Sequence, residues 1–189
     1  MWNIHGVISP VSDGEEGHSP DRSPYHTNIL EFAKKFAFSV ERVEILLGLL
    51  EYRKTLYLLD INTGFQWVNG SFVENVESIR QRPPNDVDVV TFSNLCNTIP
   101  NYSDFVTENL SIFDSSKAKQ KYKVDAYWVD MDTGFNEYSV ERCTYWYSMW
   151  SHQRDTNIWK GFYVIPLSPE KDIEAIEYLS RLKAELDHA

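Results

Sequence analysis

The amino-acid sequence predicts an α+β (mixed α/β) protein, a small sheet of about four strands flanked by helices. Three observations lead there. Two long segments carry apolar residues at three- and four-residue steps, the period of a helix that buries one face. Four short segments are rich in β-branched and aromatic residues and are bounded by turn-forming residues. Both kinds of segment interleave along 189 residues that are 42% hydrophobic, enough for one ordinary core.

The elements follow in chain order. Residues 1 to 28 are rich in Gly, Pro, Ser, Asp and Glu and predict an irregular leader with turns; residues 29 to 189 make the single domain. "NILEFAKKFAF" sets Leu30, Phe32, Ala33 and Phe36 near one helical face. Ser39 is the expected N-cap of the next helix, whose stripe is Ile45, Leu49, Tyr52, Leu56 and Leu59. "GFQWVNG" and "DVDVVTFS" predict the first two strands, residues 94 to 116 a helix with loops, and "KYKVDAYWVDM" the third strand. "SVERCTYWYSMWSHQR" predicts a helix capped by Ser139 that buries Cys143, Trp146, Tyr147 and Trp150. "KGFYVIPL" is the fourth strand. Ser168 as N-cap and Pro169 at the first helical position open a last helix striped by Ile176, Leu179, Leu182 and Leu186.

Composition narrows the function. The formal net charge of −10 argues against an extensive DNA or RNA surface. No apolar run reaches the ~20 residues that span a bilayer, and the first residues lack the basic and apolar regions of a secretory signal. Cys96 and Cys143 are far apart and form no metal-spaced pair, so they read as reduced thiols of a cytoplasmic protein.

The informative stretch is "NGSFVENVESIRQRPPNDVDVVTF", residues 69 to 92. Side chains alternate along a strand, so Asp86 and Asp88 point one way and Val87 and Val89 the other, into a core. Two carboxylates on one strand face repel each other and are costly to bury unpaired. The pair makes sense facing water, or neutralised by a hard divalent cation such as Mg²⁺ or Mn²⁺. Asp125, inside the apolar "KVDAYWV", is best explained as the third member of the cluster. Three such carboxylates can hold metals that clamp the attacking and leaving oxygens of an in-line displacement. Gly70-Ser71, directly after the first strand, reads as a turn whose backbone N–H groups and hydroxyl receive an anion.

At these residues the sequence resembles the nucleotidyltransferase superfamily, of DNA-polymerase-beta-like fold, with its Gly-Ser, Asp-x-Asp and later Asp. It is also similar to a family of small uncharacterised bacterial nucleotidyltransferase-like proteins, through Glu31-Phe32, Phe36, Ser39 and Arg42 upstream and Trp146, Trp150, Arg154 and Lys160-Gly161 downstream. The resemblance implies transfer of a nucleoside monophosphate from a nucleoside triphosphate to an acceptor hydroxyl on a protein, a tRNA or a small molecule. Asp86, Asp88 and Asp125 would be the catalytic and metal-binding residues. Gly70, Ser71, Arg82 and Lys160 would bind the nucleotide. Small members of the superfamily often act beside a partner protein, as in toxin–antitoxin or phage-defence pairs, and a chain of this length leaves room for a partner or a homodimer.

One departure stands out. The spacer from Ser71 to Asp86 is longer than the superfamily's, and its "VESIRQRPP" predicts a loop beside the site carrying Arg80 and Arg82. A catalytically inactive member, acting as nucleotide sensor or antitoxin-like partner-binding module, is the alternative that this loop keeps open. Lys117, Lys119, Lys121 and Lys123 alternate ahead of Asp125; as a strand they share its face, most simply as the protected edge of a sheet. Trp146 and Trp150, one helical turn apart, read as core residues before they read as base-stacking platforms.

Overall fold

The computed structural model describes residues 2–95 and 99–188, and among them eight helices and five strands. Cys96 lies outside the described residues; Cys143 is a free thiol. The strands are β1 (Tyr25–His26), β2 (Phe65–Asn69), β3 (Val87–Ser93), β4 (Val124–Asp130) and β5 (Tyr163–Pro166). They form one mixed sheet in the order β1-β5-β2-β3-β4. β2 is antiparallel to β3 and to β5, whereas β3 runs parallel to β4 and β1 parallel to β5. The four expected strands are present. The fifth, β1, comes from the leader: Tyr25 pairs with Tyr163 and His26 with Val164, a two-residue pairing that local patterning does not betray. The leader is also tied down by Gly161 N–H donating to Ile8 O at 2.8 Å, and Val7 and Ile8 are buried.

Alternation along the strands divides the interior in two. Val68, Val87, Val89, Val124, Ala126 and Ile165 face a large core closed by α1 (Ile29–Phe36), α2 (Val40–Leu58) and α8 (Pro169–Leu186). Ser39 caps α2 as expected, its hydroxyl accepting from Arg42 N–H, and Ile45, Leu49, Tyr52 and Leu56 are buried. Ser168 and Pro169 open α8 as expected. The other sheet face carries Phe65, Trp67, Val90, Phe92, Tyr127 and Val129. It is covered by Trp146 and Trp150 of α7 (Glu137–Trp150) and by Phe162. Both tryptophans therefore belong to a core. The cap of α7 lies three residues upstream of the expected one: Asn136 accepts from Ser139 N–H while Ser139 Oγ accepts from Asn136 N–H. Ser139 is thus half of a reciprocal capping box.

Between β3 and β4 lie α4 (Tyr102–Glu108), α5 (Leu110–Phe113) and α6 (Ser115–Tyr122). The alternating lysines belong to α6 and its end, not to a strand. Asp114 caps α6 by accepting from Lys117 N–H, and Ala118 and Tyr122, four residues apart, turn inward. Lys123 ends the helix in the left-handed conformation, and β4 starts at the next residue. Among the described residues no helix is long and apolar enough to cross a membrane.

Candidate active site

β3 and β4 are parallel and in a register that pairs Val87 with Val124 and Asp88 with Asp125. β2 places Asn69 opposite Asp88 on the other side. Alternation then fixes the outcome: Asn69, Asp88 and Asp125 emerge on one sheet face, at one end of the strands, beyond the aromatic core of that face. Asp86, just before β3, falls beside them. All four residues line a cleft of about 710 Å³, shared with Gly70, Ser71, Arg82, Lys119 and Lys160. Every site residue expected from the sequence is brought to this one cavity.

Gly70 has φ +81°, in the region that favours glycine, and a Cβ there would overlap the carboxylate of Asp88. Glycine is therefore required twice, by backbone conformation and by contact. Ser71 opens a single helical turn, Ser71–Val73, rather than a long helix. That turn is held from below by Arg42 of α2, fully buried, which donates to Phe72 O at 2.6 Å and Glu74 O at 2.8 Å. Arg42 also grips Glu77 on α3 (Val76–Arg80) through Nε at 2.6 Å and Nη2 at 2.9 Å. The long spacer is in part this short helix. It sets Arg80 on the cleft wall, 3.0 Å from Asp155, and leaves Arg82 exposed at the rim, donating to Pro83 O.

Lys160 takes a different place from that of a phosphate ligand. Its ammonium is buried and pairs with the buried Glu74 at 2.6 Å, a group that also accepts from Gln153 Nε2 at 2.8 Å. A 3.3 Å contact to Gly70 O makes Lys160 a brace for the glycine turn. Lys119 is the residue that the sequence reading misplaced. From α6 its ammonium pairs with Asp86 and stands 3.8 Å from Asp125. Asp125 is held besides by Ser115 Oγ, at 2.5 Å.

The electrostatics follow from these neighbours. Burial, with Asp86 and Asp125 adding like charge, raises the carboxyl of Asp88 to about 6; the ammonium groups of Lys160 and Lys119 offset part of this. Lys119 is held charged, its titration moved upward chiefly by its hydrogen bond to Asp86. Asp86 Oδ2 is buried and meets the lysine in an ion pair without a hydrogen bond of ordinary geometry. Asn69 donates to Trp150 O at 2.8 Å, but its buried Oδ1 has no hydrogen-bond partner.

Among the described residues no group of three or more His, Cys, Asp or Glu side chains is gathered closely enough to hold a metal ion as it stands. The donor chemistry nonetheless fits a hard divalent cation: three carboxylates, two of them beside the ammonium of Lys119, with an orphaned amide oxygen in the same cleft.

Comparison with curated proteins and with solved structures finds no match. A family model does match, over residues 2–166, which takes in every residue of the cleft and stops before α8. The chain therefore belongs to the family described as "Family of unknown function (DUF6932)".

Proposed function

We propose that the protein is a minimal metal-dependent nucleotidyltransferase, moving a nucleoside monophosphate from a nucleoside triphosphate to an acceptor hydroxyl. One observation carries this reading: Asp86, Asp88 and Asp125 converge on one sheet face beside a glycine turn and line a common cleft. The cleft volume falls in the range of small-molecule and cofactor sites. The resemblance of Gly70-Ser71, Asp86-x-Asp88 and Asp125 to the superfamily's motif points the same way.

In this reading Asp86, Asp88 and Asp125 would hold Mg²⁺ or Mn²⁺, which would neutralise phosphate charge and make the acceptor hydroxyl more acidic. The Gly70-Ser71 turn, fixed by Arg42 and Lys160, receives the triphosphate. Arg82 and Arg80 on the spacer meet its outer phosphates. The acceptor oxygen forms a bond to the α-phosphorus while the bond to the bridging oxygen breaks. Pyrophosphate leaves, and the acceptor proton passes to Asp125. Such chemistry depends on positioning and charge more than on covalent help. The acceptor is a protein hydroxyl, a tRNA end or a small molecule. The setting is cytoplasmic, with a partner protein or a second copy supplying acceptor contacts.

A second reading has one observation in its favour. The ammonium of Lys119 already sits on Asp86, as it would in a site that has exchanged its metal for a lysine. The protein would then be a nucleotide sensor or antitoxin-like module that binds without turnover. Incubation with each α-³²P nucleoside triphosphate, Mg²⁺ or Mn²⁺ and candidate acceptors separates the two. Label transfer that falls on the order of 10³-fold in Asp88→Asn supports the enzyme. Nucleotide binding with no transfer to any acceptor supports the sensor and sinks the enzyme.

A further inference from the structure

We infer that Lys119 is a tethered stand-in cation whose displacement makes divalent-metal binding conditional on the nucleotide, an inference that rests on the nucleotidyltransferase reading. The ammonium of Lys119 contacts Asp86 and stands 3.8 Å from Asp125, beside the charge that a divalent ion would neutralise. It arrives there from α6, by a flexible four-carbon stem whose side chain remains 50% exposed. Moving it outward costs little packing. Lys160 differs in this respect: its side chain is 5% exposed and committed to Glu74.

The lysine also leaves the cluster incomplete. Lys119 meets only Asp86 and Asp125, Lys160 is committed to Glu74, and among the described residues Asp88 has no ion pair of its own. Asn69 Oδ1 in the same cleft is buried without a partner. A site finished by its lysine would show neither feature. The pair therefore behaves as a placeholder: it lowers the repulsion among the carboxylates and makes a free divalent ion compete with the ammonium for Asp86.

The consequence is a coupling between ligands. A metal ion entering alone must break the Lys119–Asp86 pair and release the ammonium only to water. A metal ion entering with a triphosphate expels it towards new negative charge, on phosphates lying in the same cleft. Lys119 thus changes partner from carboxylate to phosphate as the site loads, and in that second position it helps to hold the triphosphate.

The test is Mn²⁺ binding, read by electron paramagnetic resonance of the free ion, with no turnover required. Wild type, Lys119→Met, Lys119→Arg and Asp88→Asn are titrated with and without a nucleoside triphosphate whose α,β-bridging oxygen is replaced by a methylene. Circular dichroism checks that each variant folds. Wild type is expected to bind Mn²⁺ weakly alone and roughly tenfold or more tightly with the nucleotide. Lys119→Met should bind Mn²⁺ alone about tenfold more tightly than wild type and lose most of the nucleotide effect. Lys119→Arg, which keeps the charge, should keep the nucleotide effect. If Lys119→Met matches wild type in both titrations while Asp88→Asn loses the ion, the metal site stands and the role of Lys119 is overturned. If no form binds Mn²⁺ with or without nucleotide, the nucleotidyltransferase reading fails and this inference fails with it.

Discussion

The two faces of the sheet each carry a group of polar side chains, and the two groups differ in completeness. On the helix-covered face, Arg53 of α2 is fully buried and every part of its guanidinium is used. It donates to Asp172 at 2.6 and 2.8 Å, to Gln66 Oε1 at 2.7 Å and to Pro166 O at 2.9 Å. Tyr57 adds a bond to Asp172 at 3.0 Å, and Gln66 passes one on to Thr91 at 3.0 Å. Charge balances and the network ties α2, β2, β3 and α8 together. On the opposite face, three carboxylates gather near the half-exposed ammonium of Lys119, the buried Oδ1 of Asn69 lacks a hydrogen-bond partner, and the site opens to a cleft. Buried charge that is fully partnered serves the fold; buried charge incompletely partnered beside a cavity is the feature on which the proposed site rests.

That contrast is sharpest in its effect on stability. Arg53→Met should destabilise the protein by about 3 to 5 kcal/mol in urea unfolding, since it leaves Asp172 charged and buried without its partner. Adding Asp172→Leu should recover much of the loss, because no orphaned charge remains. A double variant no more stable than the single one would break the picture of a closed pair.

The carboxylate cluster should respond in the opposite direction. Asp88 is raised from 3.8 to about 6 in the folded protein, so between those values the folded state holds more protons than the unfolded chain. Stability then falls as pH rises through this window, by on the order of 3 kcal/mol for this group, and stays reduced above it. Asp88→Asn should accordingly stabilise the protein at pH 7, with the advantage shrinking towards pH 4. An Asn variant less stable than wild type at pH 7 would mean that the cluster is already paid for within the fold.

Gly70→Ala is a smaller perturbation of the same site. A Cβ at φ +81° that overlaps Asp88 should cost about 1 to 3 kcal/mol. It should also weaken Mn²⁺ binding, because the carboxylate must move aside. An unchanged metal affinity would separate the turn from the acids.

Much of this was legible in the sequence, for a physical reason. Strand alternation is rigid, so Asp88 and Asp125 within apolar strands had to emerge on faces set by their valines, and Asp86, one residue ahead of β3, falls beside them. Gly70 follows the same logic, since a glycine ending a strand announces a backbone that other residues do not adopt. The cap at Ser39 is local chemistry and is present, and Ser168 holds the expected N-cap position of α8 without a side-chain capping bond. What escaped depends on distant partners or on competing periods. Lys117, Lys119, Lys121 and Lys123 alternate like a strand, yet Asp114 and the inward pair Ala118 and Tyr122 make a helix of the segment, and only a helix aims Lys119 at Asp86. The signal was Asp114 three residues before Lys117, a capping position. β1 has two residues and exists only through β5. Lys160 showed its charge in the sequence but not its partner: Glu74 lies 86 residues away. Asn69 gave no signal, because its orphaned oxygen follows from a bond to Trp150.

The most direct measurement is the thermal unfolding midpoint of wild type and Asp88→Asn with Mg²⁺ and a non-hydrolysable nucleoside triphosphate, alone and together. If the acidic cleft awaits a cation and a nucleotide, the pair should raise the midpoint of wild type, well beyond either ligand alone, and leave Asp88→Asn unmoved. Equal behaviour of the two proteins, with no rise in either, would contradict the account.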